Sequence, residues 1–187
     1  SATKDVIRAS KFKVRVNYTN ELKMVVVKEK ATLNALADLN LEDIVIKNYD
    51  NSKSFLNVKS TNFSLILNDK AYAELNIKAT KTTFELTGNS KIKALVASPE
   101  FKLDMYEKAK AEIEGDAAMA NIRLDNNSDL RAKKLAVTEM NLKAEMNSYC
   151  EINVKDKIII AATGKSQVEL LGDAKVELPV FRDTARL

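Results

Sequence analysis

The chain has 187 residues, 45% of them hydrophobic and 30% charged, with one cysteine, four glycines, two prolines and no histidine or tryptophan. That length suits one domain with a sizeable core and excludes a disordered chain, a lone Cys150 excludes a disulfide framework, and the missing imidazole excludes Ser-His-Asp, Cys-His and His-ligated metal chemistry. The net charge of +4, spread over interleaved basic and acidic residues, is too mild for a nucleic-acid footprint, and no run of about 18 apolar residues is present to span a membrane.

The segment Ser1-Ala2-Thr3-Lys4-Asp5 resembles the start of a trimmed mature protein, and the first methionine is Met24. No apolar h-region survives in the chain to show whether a signal peptide once preceded it. No Pro-, Gly- or Ser-rich linker interrupts the chain, so residues 1–187 read as one domain. Faint repeat units occupy about residues 10–62. Ala31 and Ser52 are their small residues, with Val25, Val27, Leu33, Ala35, Ile46, Leu56 and Val58 in phase.

Clear repeats run from about 63 to 178. The small residues Ala71, Ser90, Ala109, Ser128, Ser148 and Ser166 recur at spacings of 19, 19, 19, 20 and 18. We call them anchors. Six residues before each anchor stands Leu65, Phe84, Leu103, Ile122, Leu142 or Ile160. Four before stands Leu67, Leu86, Met105, Leu124, Ala144 or Ala162. Two after stands Ala73, Ile92, Ala111, Leu130, Cys150 or Val168, and four after stands Leu75, Ala94, Ile113, Ala132, Ile152 or Leu170. None of these positions is charged, although 30% of the chain is. The tail from Pro179 to Leu187 reads as a cap, with Pro179 stopping the last strand and Phe181 covering the end of the core.

Period-two alternation on both sides of each anchor means strands with one buried face, two per unit, separated by a polar turn such as Asn68-Asp69-Lys70 or Thr87-Gly88-Asn89. An antiparallel meander would favour Asn-Gly or Asp-Gly turns, and neither dipeptide occurs. A leucine-rich repeat would need its own L-x-x-L-x-L pattern, also absent. The expected fold is therefore all-β: a single-stranded parallel β-helix with coils of about 19 residues, each stacked on the last at about 4.8 Å. Small anchors would fit a tight inner corner.

Two units, Phe84-Glu85-Leu86-Thr87-Gly88-Asn89-Ser90-Lys91-Ile92-Lys93-Ala94 and Ile160-Ala161-Ala162-Thr163-Gly164-Lys165-Ser166-Gln167-Val168-Glu169-Leu170, resemble the auto-transporter adhesin family with its head GIN domain. The resemblance covers roughly residues 10–180. It implies a right-handed parallel β-helix exported to the envelope of Gram-negative bacteria: periplasmic, outer-membrane-anchored or at the cell surface. The family motif is a structural repeat and marks no chemistry.

Candidate constellations are few. The column Glu74, Lys93, Glu112, Arg131, Glu151 and Glu169, three after the anchors, reads as a solvated ion-pair ladder. The column Ile66, Glu85, Asp104, Arg123, Lys143 and Ala161, five before them, sets Glu85 beside Asp104 at a separation that suits retaining glycoside hydrolysis. Coils of uniform length leave no material to wall a cleft, and Arg123 is expected to keep Asp104 ionised, which is wrong for a general acid. Asp125-Asn126-Asn127-Ser128-Asp129 is the best calcium candidate, yet Asx turns bonding the local backbone explain it more simply. Tyr72 and Tyr149 share an offset but stand four coils apart, Tyr18, Tyr49 and Tyr106 are scattered, and Cys150 falls in an inward column.

The expected protein is a non-enzymatic surface module for adhesion, scaffolding or binding, with no catalytic, cofactor or metal site. Its expected partner is a surface protein or glycan and no nucleic acid. The alternatives are a polysaccharide-binding or polysaccharide-acting protein on the same fold, and a filament unit that stacks through open coil ends.

Overall fold

The computed structural model describes residues 13–187, so the reading of Ser1–Asp5 as a trimmed start lies outside the described residues. The described chain is all-β, without helix. Its strands are β1 (Met24–Val27), β2 (Thr32–Asn34), β3 (Leu39–Asn48), β4 (Lys53–Leu67), β5 (Tyr72–Leu86) and β6 (Lys91–Ala97). They continue as β7 (Glu100–Met105), β8 (Lys110–Leu124), β9 (Asp129–Ala144), β10 (Tyr149–Ala162), β11 (Gln167–Leu171) and β12 (Lys175–Phe181). Every pairing between them is parallel, and each strand pairs with its counterpart one coil away, as in Lys53↔Tyr72↔Lys91↔Lys110. The result is a β-solenoid of about 8 turns.

In β4, β5, β8, β9 and β10 a coil is one long strand of 14 to 16 residues, closed by a short turn at the anchor. The expected pair of short strands per unit is thus corrected in one respect. The second strand of a unit runs unbroken into the first strand's continuation, around a corner the columns did not cover. At that corner the burial phase slips by one residue: Leu56 and Val58 point inward before it, Phe63, Leu65 and Leu67 after it. The slip leaves two exposed neighbours in succession, as at Thr80-Lys81 and Ala118-Met119. Irregular coil lengths are absorbed there too. Register shifts fall between Glu112 and Glu114, between Ile152 and Asn153, and between Val154 and Lys157. Pro99, which has no N–H to give the ladder, separates β6 from β7 at the same corner.

Gly115 also sits at this corner. Its φ is +116°, and a Cβ there would lie 2.0 Å from the Val96 carbonyl oxygen one coil away. Only glycine lets the two backbones approach so closely.

At the other end of the coil, the first middle residue of each turn from Lys28 onward has a left-handed backbone: Glu29, Asp50, Asp69, Gly88, Glu107, Asn126, Met146, Gly164 and Asp183. Such a φ strains most L-residues. Several turns offset it with a side chain from the next coil. Asp50 Oδ2 accepts the Glu29 N–H at 2.8 Å, Asp69 Oδ2 the Asp50 N–H at 3.1 Å, and Asp183 Oδ2 the Gly164 N–H at 3.0 Å. The turn backbones also bond directly, Lys70 N–H to Asp50 O at 2.8 Å and Lys108 N–H to Gly88 O at 2.9 Å.

The repeat columns form the core. All the inward positions of the clear repeats are buried except Leu170, which is half-buried; in the faint units Val25, Leu33 and Ala35 are half-buried as well. Phe63, Phe84 and Phe101 interlock edge to face, at centroid distances of 6.3 and 5.4 Å. Fully burying such side chains contributes about 1.5–3 kcal/mol each. The anchors from Ser52 to Ser166 are all buried, whereas Ala31 in the first described coil is exposed. Cys150 is fully buried, and burial pushes its thiol from 9.0 up to about 12.

The tail departs from expectation. Pro179 does not stop a strand: β12 runs through it, with Glu177 opposite Ile159 and Val180 opposite Ala161, so two residues bulge opposite one. β12 pairs only with β10, and an edge strand tolerates a proline at a bulge. Phe181 is 37% exposed, and it is Ala185 that packs on the core. Thr184 and Arg186 N–H groups bond to Gly164 and Ser166 carbonyls, continuing the stack.

Candidate functional site

The carboxylate pair is assembled as the spacing requires. Glu85 and Asp104 face each other in register across β5 and β7. Asp104, however, pairs with Lys102 at 2.9 Å, and not with Arg123 as expected from the column. Arg123 turns toward the next coil instead. It donates to Glu145 at 3.3 Å, lies 3.9 Å from Asp125 and covers the Tyr106 ring at 5.4 Å. The Lys102 ammonium is held protonated above its usual range, first through its hydrogen bond to Asp104 and then through that carboxylate's charge. The surface beside Asp104 is a depression of about 300 Å³ floored by Ile122, Leu142 and Ala161. Around it stand Lys102, Arg123 and Lys143, of which only Lys102 pairs with Asp104.

The expected ion-pair ladder forms in part, as two separate pairs. Lys93 meets Glu112 at 3.1 Å and Arg131 meets Glu151 at 3.3 Å. The Glu112 hydrogen bond, then its charge, raises the Lys93 ammonium. Glu151 also accepts the Tyr149 hydroxyl at 2.9 Å, and Tyr149 lies under Arg131 at 5.6 Å. Burial, then hydrogen bonds to Glu151 and Glu169, raises the Tyr149 phenol. Tyr72 and Tyr149 remain on one row of partners but far apart along it.

The Asp125–Asp129 turn is corrected in its chemistry. Its asparagines do not bond the local backbone; Asn126 and Asn127 both adopt left-handed φ (52° and 67°), and Asn127 Nδ2 donates to Asn126 Oδ1 at 3.1 Å. The flanking acids are engaged by arginines, Asp129 by Arg131 at 3.4 Å and Asp125 by Arg123.

One feature was not found from the sequence. A groove of about 730 Å³ runs along the anchor column, between the residues immediately before and after Ala71, Ser90 and Ala109. Its walls carry Lys70 and Lys108 on one side and Tyr72, Lys91 and Lys110 on the other. All four lysines are exposed. The signal lay in the flanks of the anchors, one residue to either side, where lysine recurs on three successive coils.

Among the described residues no helix is long and apolar enough to cross a membrane, and no group of three His, Cys, Asp or Glu is placed to hold a metal ion. A family model described as "Putative auto-transporter adhesin, head GIN domain" matches residues 2–174. No curated protein and no solved structure matches the chain.

Proposed function

The chain belongs to the auto-transporter adhesin family with the head GIN domain, and from that premise we propose that it is an exported, non-enzymatic binding or scaffold module of the bacterial cell envelope. One observation carries the reading. Coil-length changes are taken up as register shifts inside the strands at one corner, with no loop inserted between coils among the described residues. A parallel β-helix without inserted loops has no walls to exclude water from a reacting bond, which catalysis of glycan cleavage demands. What it offers instead is a rigid lateral surface on which outward side chains stand in straight columns about 4.8 Å apart. The half-buried, lysine-paired Asp104 beside Glu85 suits that surface and not a general acid.

Fluorescently labelled chain tested on intact bacterial cells checks this. Saturable binding that unlabelled chain competes away supports a surface module. Absence of any saturable binding, with the native protein fractionating into the cytoplasm, overturns it.

A further inference from the structure

Four lysines share the groove beside the anchors without a carboxylate partner among the described residues. Lys81, Lys93 and Lys102, on other columns, each hold an acidic group within 4.0 Å. Lys70, Lys91, Lys108 and Lys110 hold none there. We propose that this groove binds an acidic polysaccharide, a linear sugar chain bearing sulfate or uronate groups. The proposal rests on the surface-binding reading above and names its ligand class.

Lys91 and Lys110 are direct partners in the ladder, so two like charges stand opposite each other on neighbouring strands. Like charges directly opposite destabilise a sheet. Lys70 and Lys108 add two more along the same furrow, on coils roughly 10 Å apart at two strand spacings. Nearby acids do not cancel them. Asp69 is taken by the Asp50 N–H, Glu112 by Lys93 and Asp129 by Arg131. Glu107 and Glu74 are not among the residues that line it. A bound polyanion relieves the repulsion along its whole length.

Shape and polarity narrow the ligand. The groove is straight because it follows stacked coils, so it suits an extended chain. Asn89 and Asn127 alternate with Lys70 and Lys108 along one wall and present amides, which donate to and accept from hydroxyls. Tyr72 offers an apolar ring face at one end, its hydroxyl tied to Glu74 at 3.2 Å. Nucleic acid fits less well. Single strands are held by successive aromatic platforms, and this groove has one ring; phosphates favour the guanidinium fork, and no arginine lines it.

The test uses the full chain, with the exposed substitutions K70Q/K91Q/K108Q/K110Q compared with K47Q/K78Q/K133Q/K155Q, which removes the same charge elsewhere. Binding to heparin oligosaccharide, polygalacturonate, neutral dextran and oligo(dT) is measured by calorimetry at two salt concentrations, with circular dichroism confirming the fold. The proposal expects the parent to bind one or both acidic glycans in a salt-sensitive way and to ignore dextran. The groove variant should lose about tenfold or more in affinity while the control variant stays within about twofold. Equal loss in both variants, no binding to either acidic glycan, or tighter binding to oligo(dT) overturns it. A parent that binds cells saturably but neither acidic glycan refutes the ligand class alone; a parent that binds no cells refutes the surface reading.

Discussion

Buried polar atoms at single positions separate strain from support. The anchor hydroxyls of Ser90, Ser128, Ser148 and Ser166 are buried and find no hydrogen-bond partner among the described residues. Ser52 differs: Asn48 Nδ2 donates to it at 3.1 Å, and Ser54 donates to Asn48 Oδ1 at 2.9 Å, all three fully buried. A hydroxyl buried without a partner carries an uncompensated desolvation cost, whereas breaking a satisfied network orphans the survivors. Ser128→Ala should therefore be neutral or stabilise by up to about 1 kcal/mol, and Asn48→Ala should destabilise by about 1–3 kcal/mol, both read from chemical denaturation. Cys150 makes the second test at this scale. Its thiol is raised by burial from 9.0 to about 12, so the unfolded chain ionises first as pH climbs. Its contribution is complete below the unfolded value and is lost as pH rises toward the folded one. Native protein should resist thiol reagents until denaturant is added, and Cys150→Ala should flatten the fall in stability above about pH 9. Rapid labelling of the native protein would place the column outside.

Within a strand, alternation is the organising rule, and neighbours should respond oppositely. Leu124 is fully buried while the Arg123 side chain is 42% exposed. Leu124→Asp should prevent folding, because a mid-stack coil offers an inward carboxylate no partner. Arg123→Gln should cost about 1 kcal/mol or less, the scale of exposed ion pairs; thermal melts of the two variants distinguish them. The inward and outward columns were legible because each recurs at a fixed offset from a small residue. The far corner was not legible, since its phase slip moves with coil length and Gly115 looks like any loop glycine. Pro179 misled for a related reason. A proline rule describes central strands, and nothing in Leu178-Pro179-Val180 declares that β12 is an edge. Arg123 misled because a column fixes which Cα atoms are adjacent and leaves a long side chain free to choose Glu145 over Asp104.

Across the whole molecule, the ladder faces and the groove are products of one registration. The carboxylates at Glu85 and Asp104 stand in register on a second outward column, with Asp104 paired to Lys102. E85Q/D104N should shift stability by less than about 1 kcal/mol, and the parent should turn over none of a broad panel of acidic and neutral polysaccharides. Turnover that the double variant loses would instead make those two residues catalytic. The groove escaped the sequence reading because it is a property of two columns flanking a third, invisible when columns are taken singly and the net charge of +4 looks unremarkable.

The turn column with its left-handed residues makes the chain behave as a ruler. Each turn bonds only to the turns directly above and below it, so a full period carries its own strand, corner and turn and leaves matching edges when removed. Excising residues 91–109 joins Ser90 to Lys110 and sets Asp129, and every later coil, one step closer to the start. Nothing else has to move. The shortened protein should fold with a cooperative melt and a β-type circular dichroism spectrum, about 4.8 Å shorter along its axis. Removing roughly half a period, residues 91–99, should not fold, because it slips every inward column out of line with its neighbours. Length in this protein is thus a count of interchangeable units, adjustable in whole steps and in no smaller one.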